Sequence, residues 1–390
     1  MGGQALSGQS VKPLKLAIII PGKISMNLPD TMHAVLLTGH GGIEKLQYRT
    51  DVSVPKPKAN EVLIRVAAAG VNNTDINTRI GWYSKQVIDA TDSGGAEGFS
   101  SIDDDDASWS GTPLSFPRIQ GADACGFIVD VGSDADHSRI GERVLVRNML
   151  RSYVDYRPYE CWTFGSECDG GFAQFAVAPA RETYAVDCDW SDVELASIPC
   201  AYSTAEGMLH RAQVGAEKVL VTGASGGVGS AAMQLLKRRG AEVIAIASQF
   251  KTQQVLDIGA DRVIDRNANL LQELGEGSID VVVDLVAGEQ WPHLLDVLCR
   301  GGRYVTAGAI AGPISQIDVR TLYLKDLSLF GCTFQEDVIF ENLIGYMEKG
   351  EIRPIVSSTY PLKDIAIAQE AFLAKKFTGK LVLVPPAIVD

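Results

Sequence analysis

The stretch Lys218-Val-Leu-Val-Thr-Gly-Ala-Ser-Gly-Gly-Val-Gly229 limits what this chain can fold into more than any other segment. A short β-branched run ends in glycines at 223, 226, 227 and 229, and a helix-forming segment, Ser230–Arg239, follows. A strand feeding a glycine turn and then a helix leaves unpaired backbone N–H groups at the positive end of the helix dipole, which is a cradle for phosphate. Glycine permits the tight turn and lets a pyrophosphate approach the backbone. The loop begins past the midpoint of a 390-residue chain, so a substantial unit precedes the nucleotide-binding one.

Before the loop the pattern is β-rich. Ala34–Leu37, Glu61–Val66, Gly126–Val131 and Arg143–Val146 read as strands punctuated by Gly and Pro, which suggests a compact β-barrel-like unit. Residues 84–117, with the run Asp103–Asp106, break this rhythm as a long loop, either a solvated surface excursion or a lid over the active site. After a helical stretch at Tyr202–Arg211, strand and helix alternate. The strands are 218–222, Glu242–Ala247, Ala260–Ile264, Asp280–Leu285, Arg303–Ala307 and Leu327–Thr333, with helices at 230–239, Thr252–Ile258 and Gln290–Leu298. Such β-α-β units build a doubly wound parallel sheet. Helices near Glu341–Lys349 and Ile365–Lys375 and a strand at Lys380–Val384 are expected to return to the first unit.

Composition narrows the setting. A formal net charge of −13 argues against nucleic acid or an anionic membrane surface as the main partner. The apolar run Leu16–Ile20 is too short to span a membrane and meets Pro21. Seven cysteines without regular spacing read as reduced thiols, and the expected location is the cytoplasm.

The strand Glu242–Ala247 should end beside the adenosine ribose, where NAD-binding units commonly place Asp or Glu. Here Ser248-Gln-Phe-Lys251 stands instead. No carboxylate repels a 2′-phosphate, Ser248 donates a hydrogen bond to it and Lys251 supplies charge, so NADPH is expected as cofactor. The competing reading makes Lys251 a solvated residue at a helix start. The loop also fits the short-chain dehydrogenase pattern, but no Tyr in this chain has a Lys four residues later.

Several segments, in order, resemble the medium-chain dehydrogenase/reductases, and specifically their quinone and enone reductase branch. These are Ala67-Ala-Ala-Gly-Val-Asn-Asn-Thr-Asp75, Gly121-Ala-Asp-Ala-Cys-Gly126, Asp169–Phe175, Leu220–Gly229, Ile258-Gly-Ala-Asp261 and Gly379-Lys-Leu-Val-Leu383. The resemblance implies an α/β protein with a GroES-like β-barrel catalytic domain split around a Rossmann domain. The expected division is an extension at 1–31, the first catalytic part at 32–183, the cofactor domain at 184–334 and the return segment at 335–390.

Zinc-dependent members of the family hold the metal through a Cys, a His and a later Cys. The matching positions here are Asn72, Ala122 and Cys200, and only the last is a zinc ligand type. Cys161 and Cys168 are too few for the family's structural zinc site. A residual metal site at Asp75, Asp123 and Cys200 is the competing reading, against one in which the carboxylates orient loops and Cys200 packs.

Without a Lewis acid, the resemblance implies hydride transfer from NADPH to a quinone or an activated C=C or carbonyl compound, a small-molecule substrate. Asn72 is expected near the nicotinamide, orienting the cofactor amide or a substrate carbonyl, or else simply capping its loop. Tyr83, in Arg79-Ile-Gly-Trp-Tyr83, is the candidate for proton delivery or anion stabilisation, or else a packing residue at the cleft rim. The remaining cofactor contacts implied are Thr204, Ser225, Gly226, Gly227, Val228, Gly308, Ala309, Ile310, Cys332, Thr333 and Lys380. Trp82 and Phe116 are candidates for lining the cleft. A homodimer through the strand near Leu327–Phe330 is expected. The alternatives are a zinc-type alcohol dehydrogenase with an atypical metal site and an NADPH-binding protein of low turnover.

Overall fold

The computed structural model describes residues 28–99, 102 and 108–388. The extension at 1–31 lies almost wholly outside these residues, as does the run Asp103–Asp106.

The second half of the chain is an all-parallel six-stranded sheet. Across it the strands run Arg262–Asp265, Glu242–Ala247, Lys218–Val221, Ile279–Asp284, Leu298–Thr306, Ser328–Gly331. The chain starts at the third position, winds outward to one edge, then crosses to the other side. That reversal makes the switch point at which doubly wound sheets bind nucleotides. Alternating side chains serve both faces. Val219, Val221, Val243, Ala245, Val281 and Val283 pack on one side, and Leu220, Ile244, Ile246 and Val282 on the other. Each fully buried aliphatic side chain of this kind contributes roughly 1.5–3 kcal/mol, which is why the strands read as continuous apolar runs.

The first half carries a seven-stranded sheet. Its path is Thr183–Ala185, Arg143–Val146, Cys125–Val131, Glu61–Val71, Lys380–Val384, Val356–Pro361, with Phe175–Pro179 paired to residues 61–65. A three-stranded sheet, Leu46–Ser53, Thr31–Leu37 and Arg118–Ile119, lies against it through Val35 N–H to Phe172 O, 2.9 Å. The tail thus returns: Lys380–Val384 runs antiparallel to Ala69–Val71. That pairing brings residue 380 beside the loop that begins at Asn72.

Local differences from the sequence reading have plain causes. The helix after the glycine loop is Gly227–Arg238, beginning inside the glycine motif rather than at Ser230. The expected helix Gln290–Leu298 is Trp291–Asp296, because Leu298 already opens the next strand. Leu46–Ser53 and Val356–Pro361 were not foreseen; both sit at sheet edges and show mostly exposed side chains, so they carry little apolar signal. Where described, residues 84–117 combine many exposed positions with a few buried anchors. Val87, Thr91, Gly94 and Ser108 are buried, and Gly95 O accepts from the fully buried Arg79 Nη2 at 2.7 Å.

Candidate active site

At the cofactor end of the sheet, Thr222 and Asp284 hold the strand ends together. Thr222 Oγ1 donates to Asp284 Oδ1 at 2.5 Å, and Tyr304 O–H donates to Asp284 Oδ2 at 2.5 Å. Gly223 has φ +59° and Gly226 N–H closes the turn on Gly223 O at 3.0 Å. A Cβ on Gly229 would lie 2.3 Å from Gly223 O, so only glycine lets the helix start this close to the turn. Ser225, Gly226, Gly227 and Val228 are half-buried at the helix N-terminus, where the first N–H groups have no intrahelical acceptor. These residues fit a dinucleotide pyrophosphate.

Ser248, half-buried, follows the second strand and accepts Lys251 N–H on its carbonyl at 2.9 Å. Lys251 is not a solvated residue. It is 5% exposed, its Nζ donates to Phe377 O, and it reaches Ser225 Oγ at 3.3 Å. Burial lowers its pKa, and the like charges of Lys375 and Arg266 lower it further. Three cations therefore crowd one corner, an arrangement that an anion relieves.

On the other side of the cradle, Thr204 lies on the helix Pro199–Arg211 one turn beyond Cys200. Gly308, Ala309 and Ile310 follow the strand Leu298–Thr306 and are half-buried. Ile310 O accepts from Thr91 N–H, in the 84–117 segment, at 3.1 Å. Cys332 N–H donates to Thr306 O at 2.9 Å, which places Cys332 and the exposed Thr333 at the end of the same sheet.

The deepest part of the site is a buried polar cluster. Asn72 caps the helix Asn73–Ile80, with its N–H on Asp75 Oδ2 at 2.7 Å. Its Nδ2 donates to Asp123 Oδ2 at 2.8 Å and to Gly70 O at 3.3 Å. Lys380 Nζ donates to Asn72 Oδ1 at 2.5 Å and to Asp123 Oδ2 at 2.9 Å. Asp123 Oδ1 accepts Cys200 N–H at 2.6 Å. Asp75 Oδ1 accepts Ala122 N–H at 3.2 Å, and burial, with the charge of Asp123 adding to it, pushes the Asp75 carboxyl up to about 7. The three positions at which zinc-dependent relatives would carry ligands, 72, 122 and 200, thus surround an Asp–Lys ion pair.

Cys200 contributes its backbone N–H to this cluster, while burial and the charge of Asp123 keep its thiol protonated. Among the described residues, no three His, Cys, Asp or Glu side chains are grouped to hold a metal ion. The Lys380 ammonium, expected among the cofactor contacts, points into the cluster, and its stem borders Gly227 of the cradle. Cys161 and Cys168 are free thiols, raised by burial to about 11 and about 12.

Tyr83 is half-buried, and its O–H donates to Thr74 Oγ1 at 3.1 Å. Burial raises its pKa further above the ordinary tyrosine value, so it remains a neutral O–H donor. Trp82 turns its indole N–H to Asp89 O at 3.0 Å, and Phe116 packs edge-on against His40.

The sequence reading missed Trp109. Its ring lies 4.8 Å from that of Tyr83, and its indole N–H has no hydrogen-bond partner among the described residues. The available signal was a large aromatic residue inside a stretch of small polar ones.

Two family models match the chain: an alcohol dehydrogenase GroES-like domain over residues 58–187 and a zinc-binding dehydrogenase over 227–349. The chain is 31% identical to the human quinone oxidoreductase, over 90% of this chain and 97% of that protein. It is 27% identical to the acryloyl-coenzyme A reductase of Metallosphaera sedula, over 90% and 99% of the two chains. A solved Sinorhizobium meliloti structure, provisionally named an alcohol dehydrogenase, superimposes with a TM-score of 0.82 at 46% identity and covers 92% of this chain and 98% of its own.

Proposed function

Since this chain belongs to the medium-chain dehydrogenase/reductase superfamily, in its quinone oxidoreductase-like branch, and is therefore an oxidoreductase that uses a nicotinamide cofactor, we propose that it is an NADPH-dependent reductase of quinones or of C=C bonds conjugated to a carbonyl, working without zinc. The observation that carries this reading is the Asp123–Lys380 pair, both side chains buried and 2.9 Å apart. An ammonium already neutralises the carboxylate beside the vacated ligand positions, and Asn and Ala supply no thiolate or imidazole for a metal.

The nicotinamide, when bound, supplies the hydride. The chain's residues do the rest. Residues 225–228 cradle the pyrophosphate, and Ser248 and Lys251 bind the 2′-phosphate. Thr204, Gly308–Ile310 and Cys332–Thr333 border the nicotinamide, beside Asn72. The substrate acquires negative charge on its carbonyl oxygen. Tyr83 O–H and Trp109 N–H are the neutral donors that stabilise it, and Tyr83 passes on a proton. The names of the human and Metallosphaera relatives support a quinone and an enoyl thioester as the two substrate classes to try first.

The test is NADPH oxidation followed spectrophotometrically with a panel of quinones, enones and enoyl thioesters. Primary alcohols with NADP+ run as the contrasting reaction. Turnover of alcohols alone overturns the proposal.

The proposal extends to a homodimer in the cytoplasm. The outer strand Ser328–Gly331 leaves one edge of the parallel sheet unpaired, and Tyr323, Leu324 and Leu329 beside it are exposed. No helix among the described residues is long and apolar enough to cross a membrane.

A further inference from the structure

The Asn72 carboxamide is wired on all but one of its hydrogen-bonding sites. A primary amide has two N–H donors and two oxygen lone pairs. Both donors are spent, on Asp123 Oδ2 and Gly70 O, and one lone pair takes the Lys380 ammonium. One lone pair on Oδ1 is left.

The opposite amide rotamer would set NH2 against an ammonium and oxygen against a carboxylate, two repulsive contacts in a buried place. The Lys380 side chain is itself guided to this point. It is 3% exposed, and a Cβ on Gly70 would lie 3.1 Å from its Cε and one on Gly227 2.8 Å from its Cδ. Two glycines thus clear its path between the pyrophosphate cradle and the cluster.

We infer that the Lys380–Asp123 pair is a positioning device that fixes the Asn72 amide with its oxygen on Lys380 and its NH2 on Asp123, so that toward a ligand Asn72 serves as a hydrogen-bond acceptor and never as a donor. This corrects one of the two roles expected for Asn72: it has no N–H to give a substrate carbonyl. Its partner must carry an N–H, and in the proposed reaction, on which this inference rests, that partner is the NH2 of the nicotinamide carboxamide. Lys380 thereby acts on cofactor recognition through Asn72 and through charge.

The experiment compares affinities for NADPH and for its analogue with an acetyl group in place of the carboxamide, which keeps the carbonyl and lacks the N–H. Fluorescence titration of the full-length wild type should show NADPH preferred on the order of tenfold, the worth of one buried hydrogen bond. The double variant Lys380→Met/Asp123→Asn, which leaves no unpaired charge, should bind both with nearly equal affinity, while Lys380→Arg retains the preference. Circular dichroism establishes that each is folded. If the double variant does not fold, Lys380→Met alone serves, because it removes the ammonium that holds the Asn72 oxygen; the preference should fall there too. A folded neutral variant that keeps the wild-type preference overturns the inference and leaves the nicotinamide assignment standing. A wild type with no preference overturns the nicotinamide assignment of Asn72 itself, and the inference with it.

Discussion

The indole of Trp109 leans on the phenol of Tyr83, ring centres 4.8 Å apart and planes tilted by 38°. The 84–117 segment therefore reaches the candidate proton donor, and Thr91 of the same segment holds Ile310 through a backbone hydrogen bond. Trp109→Phe keeps the packing and removes only the N–H. It should lower kcat for the best quinone or enone roughly 100- to 1,000-fold, the effect of one lost donor to a developing oxyanion, with KM for NADPH unchanged. An unaltered kcat would remove Trp109 from the mechanism.

Lys251 sits where a 2′-phosphate is expected, beside Ser225 and under the repulsion of Lys375 and Arg266. Lys251→Ala should weaken NADPH binding roughly 10- to 100-fold, as for a charge-assisted hydrogen bond, and NADH binding far less. Calorimetric titration with both cofactors decides it; equal losses would refute the phosphate assignment. Because the lysine pKa is lowered in the free protein, binding the phosphate should also take up protons at alkaline pH.

Asp75 gives a pH signature. Its carboxyl is raised from 3.8 to about 7, chiefly by burial. Across that window the unfolded chain ionises Asp75 while the folded chain keeps the proton. The stability due to this group is present below the lower value, is lost as pH rises through the window, and levels off above it. The melting temperature of wild type should fall relative to that of Asp75→Asn, measured in parallel, as pH rises through this range. A pH-independent difference would show that Asp75 does not titrate there.

Metal analysis addresses the ion pair directly. Purified protein should carry far less than one zinc per chain, and prolonged chelation should leave NADPH-dependent reduction intact. Zinc near one per chain that a chelator strips together with activity would overturn the zinc-free reading.

The exposed edge strand predicts its own outcome. Leu329→Lys, on the solvent side of Ser328–Gly331 and 38% exposed, should convert a dimer to monomer without altering the melting of the sheet core. Light scattering after size exclusion reports the mass; a wild type that is already monomeric ends the idea.

What the sequence made legible was local. The glycine loop and the strand pattern each lie within a few residues, so spacing alone revealed them. Asn72 and Tyr83 came from resemblance to family segments. The Asp123–Lys380 pair was invisible as a pair, because 257 positions separate its members and only the return of Lys380–Val384 to Ala69–Val71 unites them. Trp109 was overlooked because its neighbours are small and polar. The edge strands at 46–53 and 356–361 were overlooked because exposed strands need few apolar residues.

The return of that strand has a consequence for the order of synthesis. Asn72 waits for a lysine made 308 positions later. At about 5–20 residues per second on the ribosome, the interval is roughly 15–60 s. Throughout it, Asp123 has no cation and the 69–71 edge has no neighbour, while the parallel sheet between them is already being built. The nascent protein therefore acquires its nucleotide-binding unit before its chemistry. The six-stranded parallel sheet, whose last strand ends at Gly331, is thus made before the Asp123–Lys380 pair can exist.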